Sequence, residues 1–322
     1  TGRRTSTTRR HGGSSVSSAF TGEIVREAAP AMGTRFEVVL WGGDAPSLRA
    51  CAEAALERIA DLERRYTRFR PDSVLSFVNA HAGERDVGVD GDTFDLLAAC
   101  ARLWRESGGA FDPTVGPLMR AWGFHGEPGD VAAAAACVGM DGVLLDERKR
   151  TVRYTRPGAS LDLGGIVKGQ ALDEAAAIVR EAGVSCGLLH GGTSTVVAIG
   201  SPPGEAGWVV EVRGGPYRIA LHDRAMSVSE PWGRVVERNG RRLGHVLDPR
   251  TGSPVEGARL ACVVGASAME TDAWSTALLV LGARPKGMPA QLTTLLPQQG
   301  GGWSVEGPDS RLFWRSAPVE RA

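Results

Sequence analysis

Asp272 and Thr276 stand four residues apart in the run METDAWSTALLVLG. On a helix that spacing places both side chains on one face, a turn apart. A carboxylate and a hydroxyl so placed offer two hard oxygens, which suit Mg²⁺ or Ca²⁺ better than zinc. Two ligands do not make a full cage, and Mg²⁺ ordinarily completes its octahedron with waters and substrate phosphates. The same spacing also fits a helix whose Asp and Thr simply face solvent.

Lys168 belongs to SLDLGGIVKGQALDEAA, residues 160–176, where a Gly-Gly turn opens a helix with the lysine in its first turn. Helix N-termini attract anions, and an early lysine adds to that attraction. The spacing is not that of a Walker A loop, and a strand-to-helix turn with a surface lysine reads equally well. His245 stands in GHVLDPRTGSPV, residues 244–255, just ahead of an Asp-Pro-x-Thr-Gly turn. Its imidazole suits proton transfer near neutral pH, or packing within the turn. The run LLHGGTST, residues 188–195, predicts a strand ending in a double glycine, where a backbone can approach a ligand closely. No Gly-x-Ser-x-Gly elbow, HExxH or GxGxxG occurs. Residues 108–124, GGAFDPTVGPLMRAWGF, carry enough glycine and proline to force one particular loop shape, as a ligand-holding loop requires.

The elements that must position these groups are legible in outline. TRFEVVLWG alternates as a half-buried strand. DAPSLRACAEAALERIADLERRY sets Leu48, Cys51, Ala55, Ile59 and Leu62 on one helical face, with Asp44 as N-cap and Pro46 in the first turn. A second helix has Asp92 as its expected cap and stops at Gly108-Gly109, and a third runs from about Ile166 to Ala182. METDAWSTALLVLG is the last clear helix. The second half is rich in consecutive strands (CGLLH, WVVEVR, YRIAL, HVL, RLACVVG, then WSV and RLFW), so antiparallel pairing and an α+β architecture are expected.

Among 322 residues, 37 basic side chains balance 37 acidic ones, which argues against a nucleic-acid binder. The five cysteines show no CxxC pair, so neither a disulfide framework nor a zinc knuckle is indicated. No run approaches the length of a membrane span, and no signal-peptide hydrophobic region is visible. Residues 1–22, rich in Thr, Ser, Gly and Arg, read as a disordered basic arm, and 23–322 as a single domain.

Taken together and in order, AMGTRFEV, RYTRFRPDSVLSFVNAHAG, GGAFDPTVGPLMRAWGF, LDLGGIVKGQALDEA, HGG, GHVLDPRTGSPV and TDAWSTALLVLG resemble the FAD:protein FMN transferase, or ApbE-like, family. The resemblance runs from about Met32 to Gly282. It implies an α+β fold of mainly antiparallel sheets and packed helices, holding FAD in a cleft between lobes. It also implies Mg²⁺ and transfer of FMN through a phosphoester to a Ser or Thr of a target protein, with AMP leaving. Met32, Phe69, Ala110, Phe111, Asp112, Asp162, Lys168 and Val246 match flavin-nucleotide contacts, and Asp272, Thr276 and the Gly165 carbonyl match metal ligands. For such a reaction His245 is the candidate base and Lys168 the cation complementing phosphate charge. The implied partners are FAD and an acceptor with a Ser/Thr flavinylation motif, a membrane redox subunit. The family is often extracytoplasmic and membrane-associated, but no lipobox cysteine stands in the arm, so the compartment is open. Thr193 and Glu230 replace the family's usual acidic residue and glycine and bear on acceptor recognition. An FAD pyrophosphatase using the same site and a non-catalytic FAD-binding protein are the alternatives.

Overall fold

The computed structural model describes residues 22–315 apart from 239, 258, 259 and 299. The arm expected over residues 1–22 therefore lies, but for Gly22, outside the described residues. Eight strands make the central sheet: β1 (Glu23–Ala31), β2 (Thr34–Gly43), β3 (Cys186–Gly191), β4 (Thr195–Ile199), β5 (Ala225–Ser229), β6 (Ala261–Gly265), β7 (Thr293–Pro297) and β8 (Trp303–Glu306). They lie side by side in that order, each antiparallel to the next. Among the described residues seven α-helices accompany them: α1 (Ala45–Tyr66), α2 (Val74–His81), α3 (Gly91–Glu106), α4 (Gly116–Ala121), α5 (Val131–Ala135), α6 (Val167–Glu181) and α7 (Ala268–Leu281).

The sheet is covered on both faces, which explains why β6 reads ACVVG rather than alternating with polar residues. Ala225, Ala261 and Val263 point into the core under the helices. Met226, Val228, Cys262 and Val264 point into a second core. Each strand sends successive side chains to opposite faces, so both sets must be apolar. The helical face is made by α1, α6 and α7. The stripe expected on α1 is buried, and Asp44 caps it by accepting from the Ser47 N–H at 3.0 Å. The other face packs against three short strands, Trp208–Glu211, Tyr217–Leu221 and Phe313–Arg315, through Ile219 and Leu221.

Three local readings change. The cap of α3 is Asp90, whose carboxylate accepts from the Thr93 N–H, because the helix starts two residues earlier than Asp92 implies. HVL contributes only its last residue to the two-residue strand Leu247–Asp248. The double glycine at 191–192 is needed by β2. A Cβ on Gly191 would lie 2.7 Å from the Phe36 ring, and one on Gly192, at φ +62°, 2.3 Å from the Thr34 hydroxyl.

Two devices set the position of the functional corner. A Cβ on Gly169 would lie 2.1 Å from the Ala268 carbonyl oxygen, so glycine alone lets α6 approach the start of α7 this closely. Asp173 of α6 then caps α7, accepting from the Ala268 and Met269 N–H groups at 2.8 and 2.9 Å and from the Ser267 hydroxyl at 2.7 Å. An N-terminal helix donor left unpaired in a core is costly, so this cap fixes the axial position of α7 against α6.

Candidate active site

A cavity of ≈ 780 Å³ opens between the main body and a small cluster of Leu118, Met119, Ala121, Ala134 and Leu247. That volume lies in the upper part of the range for small-molecule sites. Segments far apart in the chain line it: the β1–β2 turn, the α1–α2 connection, the 110–119 loop, residues 162–168, 228–234 and 245–249, and one face of α7. All twelve residues expected at a site, from Met32 to Thr276, are among its walls.

At the innermost corner the ammonium of Lys168 lies 3.1 and 3.3 Å from the two carboxylate oxygens of Asp272 and 3.1 Å from the Gly164 carbonyl. Asp272 is 3% exposed and also accepts from the Gly169 N–H at 3.2 Å. One turn on, Thr276 donates to the Asp272 carbonyl at 3.2 Å, and its hydroxyl lies 3.4 Å from that of Ser229. The spot where a Gly165 side chain would begin is 3.5 Å from both the Thr276 hydroxyl and the Phe111 ring. Asp272 and Thr276 thus bring a carboxylate and a hydroxyl to one corner, with the Gly165 backbone beside them. Among the described residues no three His, Cys, Asp or Glu side chains converge, so a cation here depends on hydroxyl and carbonyl oxygens as well.

His245 shares the cavity wall. Its Nδ1 lies 3.2 Å from the Pro231 carbonyl and 3.3 Å from the Arg234 N–H. One tautomer donates to the first and the other accepts from the second. The imidazole packs over Gly233, where a Cβ would approach its Cε1 to 3.0 Å. Burial, reinforced by the charges of Lys168 and Arg234, lowers its pKa below the ordinary 6.5. A neutral imidazole at pH 7 is the form able to accept a proton.

Asp162 is held from three sides. Arg68 and His125 each reach one of its oxygens at 3.0 Å, and the Gly164 N–H reaches the other at 2.9 Å. Burial alone would raise its pKa, but the hydrogen bonds and positive neighbours outweigh it and hold the carboxyl well below the usual range. Phe69, 67% exposed, turns edge-on to His125 with the ring centroids 5.8 Å apart, and the Arg68 guanidinium lies 5.6 Å from its ring centre. Phe69 is thus an exposed aromatic face at the cavity mouth, while Ala110 and Phe111 are buried in its wall.

Asp112 lines the same cavity, yet its carboxylate is committed to the protein. It accepts from the Thr114 N–H and hydroxyl at 2.8 and 2.5 Å and from the Met140 N–H at 3.2 Å. It shapes the loop and does not offer a free carboxylate. Gly108 and Gly109, at φ +62° and +79°, turn the chain out of α3 just before it. A Cβ on Gly116 would lie 2.5 Å from the Ser160 hydroxyl, which explains the loop's glycine there. Met32 also carries a backbone cost: it sits at φ +51° beside Gly33 at +73° in the two-residue β1–β2 turn. Glu63 of α1 secures it, accepting from its N–H at 2.6 Å. Val246 lines the wall, and its carbonyl accepts from the Val255 N–H at 2.8 Å.

Sequence reading did not single out Glu63, Arg68, His125, Arg213 or Arg234, all of which line the cavity. For His125 a signal existed, a lone histidine in the glycine-rich WGFHGEP. The others act through tertiary contacts that no local pattern marks.

An antiparallel α+β body thus carries one large cleft whose lining includes the aromatic Phe69 and Phe111, the cationic Arg68, Lys168, Arg213 and Arg234, and the oxygens of Asp272 and Thr276. The chain belongs to the ApbE family, whose model matches residues 32–292. It is 30% identical over 251 residues to an FAD:protein FMN transferase of Klebsiella pneumoniae (strain 342), covering 71% of this chain and 76% of that one. It is 28% identical to the FAD:protein FMN transferase of Haemophilus influenzae, covering 81% of both chains. Among solved structures, the ApbE protein of Thermotoga maritima superposes with a TM-score of 0.79 at 28% identity, covering 88% of this chain and 97% of that one. The apo Pseudomonas stutzeri flavinyl transferase ApbE does so at 0.77 and 25%, covering 90% and 97%.

Proposed function

We propose that this protein is an FAD:protein FMN transferase that moves FMN from FAD to a Ser or Thr hydroxyl of an acceptor protein and releases AMP. The observation that carries the reading is the convergence of Lys168, Asp272, Thr276, Gly165 and His245 on one cleft with aromatic Phe69 and Phe111 walls. The names of its relatives support the same reaction.

In this reading Phe69, Phe111 and Met32 bound the heterocyclic parts of FAD. Arg213 and Arg234 bring positive charge to the cleft, favouring a diphosphate. The acceptor hydroxyl oxygen attacks the phosphorus on the FMN side of the diphosphate. The P–O bond to the AMP phosphate breaks, and the electron pair leaves with AMP. The hydroxyl proton passes to neutral His245, and Lys168 offsets negative charge on the phosphoryl oxygens. Asp272, Thr276 and the Gly165 carbonyl would hold Mg²⁺, which when bound neutralises diphosphate charge and favours departure of AMP. Water in place of the acceptor would give FMN and AMP, the pyrophosphatase outcome.

The test combines the protein, FAD, Mg²⁺ and a panel of Ser- and Thr-bearing acceptors, reading flavin fluorescence on the denatured acceptor and AMP in solution. The expected result is a fluorescent acceptor with AMP released in equal amount. FMN and AMP without a labelled acceptor would replace transfer by hydrolysis. Intact FAD with every acceptor would remove the enzymatic reading.

A further inference from the structure

Glu230 and Trp232 stand on the turn that leads to Gly233, the glycine under the His245 imidazole. Both line the cleft, while Pro231 between them is buried and its carbonyl accepts from the His245 N–H at 3.2 Å. A base must lie within hydrogen-bond reach of the hydroxyl it deprotonates. An acceptor whose hydroxyl reaches His245 therefore sets its flanking residues against the open parts of this same turn.

Trp232 is 47% exposed although it lines the cleft. Among the described residues no ring pair or cation–ring contact involves it. Tryptophan is among the residues that carry most binding energy where proteins meet, so an open indole beside the base is a contact surface for a protein substrate. Glu230 is half-buried, and a Cβ on Gly214 would lie 2.4 Å from its carboxylate. Glycine there leaves room for the carboxylate, and the cations of the cleft are spent elsewhere. Arg213 donates to the Thr193 hydroxyl at 2.9 Å, and Lys168 is paired with Asp272. Arg234 reaches toward the β1–β2 turn, where a Cβ on Gly33 would lie 3.1 Å from its Nη2. An unspent carboxylate and an open indole two residues apart suit a lysine or arginine, which stacks on the ring and pairs with the acid.

We propose, resting on the transferase reading of this cleft, that Glu230 and Trp232 dock the acceptor and select one with a basic side chain beside its Ser or Thr.

Dye-labelled peptides centred on one Thr, with Lys, Gln or Glu in turn at each flanking position, test this. They are titrated with the FAD-saturated full chain in EDTA and followed by fluorescence anisotropy. Transfer requires Mg²⁺ in the transferase reading, so the chelator lets binding be read without turnover. The best Lys peptide is expected to bind at least fivefold more tightly than its Gln counterpart, and the Glu counterpart more weakly still. Glu230→Gln should bring the three within twofold of one another. Trp232→Ala should weaken the Lys peptide at least fivefold, and Trp232→Phe should lose less. The FAD affinity of each variant should stay within twofold of wild type, which shows that the cleft is intact. Equal binding of the Lys and Gln peptides, no binding of any peptide, or a Lys preference that survives Glu230→Gln overturns the proposal. So does a Trp232→Ala variant that loses FAD affinity more than peptide affinity, because the indole would then be a flavin contact. Charge-selective binding without labelling once Mg²⁺ is added would count against transfer and leave the docking site standing. Failure of FAD itself to bind counts against the flavin reading alone, and the same peptides on the FAD-free chain then decide the docking site by the same criteria.

Discussion

The Lys168 ammonium sits 3.1 Å from a carboxylate oxygen of Asp272, at the corner where α6 and α7 come closest. Asp272 is buried, and its carboxylate also accepts from the Gly169 N–H, so the pair is set by backbone as much as by charge. Asp272→Asn keeps the shape and the acceptor for Gly169 but removes the charge. Its melting temperature should stay close to wild type, while Mg²⁺-dependent turnover falls at least about a hundredfold, roughly 2.7 kcal/mol in barrier. Thermal melts beside steady-state kinetics check this. A variant that melts normally and turns over normally would dissociate the carboxylate from the chemistry.

Lys168 and a divalent cation draw on the same carboxylate. Lys168→Met removes the competing ammonium, so Mn²⁺ affinity without FAD should rise, although turnover falls for want of positive charge at the phosphates. Mn²⁺ titration followed by electron paramagnetic resonance reads the affinity directly. Unchanged or weaker Mn²⁺ binding in Lys168→Met would show that the lysine does not compete with a metal.

His245 sets the pH dependence. Its pKa is lowered, chiefly by burial, so the imidazole is neutral at pH 7 and the acid limb of kcat/KM should fall below pH 6.5. His245→Asn should reduce kcat by about 10²–10⁴-fold and remove that limb. Stability follows the same sign. Above about pH 6.5 the folded and unfolded imidazoles are both neutral and the group is without effect. As pH falls from there through the lowered folded value, the unfolded state takes up the proton first and stability drops. An acid limb above 6.5, or one unchanged in His245→Asn, would assign the base elsewhere.

Gly169→Ala would press a methyl group to 2.1 Å from the Ala268 carbonyl oxygen, a backbone atom unable to swing aside. We expect a loss of about 1–3 kcal/mol in stability as α6 and α7 are forced apart. Turnover per folded molecule should also fall, because Lys168 and Asp272 separate with the helices. Gly83→Ala, where the added carbon meets nothing within 4 Å, is the control and should melt near wild type. Equal melting of the two variants would refute the close-approach account.

Much of this was legible in the chain. The α1 stripe and its Asp44 cap follow from a repeat that the core must satisfy, and the Asp272–Thr276 face follows from helical geometry. The eleven residues that the resemblance singled out, and His245, chosen for its chemistry, each lie in a run with its own pattern, and all twelve line one cleft. The Met32–Glu63, Arg68–Asp162 and His125–Asp162 contacts join residues 31, 94 and 37 apart, and no local period encodes such pairings. The double glycine at 191–192 shows the limit most plainly. A pair of glycines announces a close approach, but only the sheet register reveals that the approaching atoms are Phe36 and Thr34. Asp112 shows it from the other side, since a carboxylate in a ligand-shaped loop proves to be occupied by Thr114 and Met140.

The central claim is that Asp272 and Thr276 hold a divalent cation against the diphosphate of a bound flavin dinucleotide. A crystal grown with FAD and Mn²⁺, measured at a wavelength where manganese scatters anomalously, tests it most directly. The account predicts a manganese peak within bonding distance of the Asp272 carboxylate, the Thr276 hydroxyl and the Gly165 carbonyl, touching the FAD phosphates, with the Lys168 ammonium moved off the carboxylate. Bound FAD with Lys168 still paired to Asp272 and no manganese at that corner would contradict it.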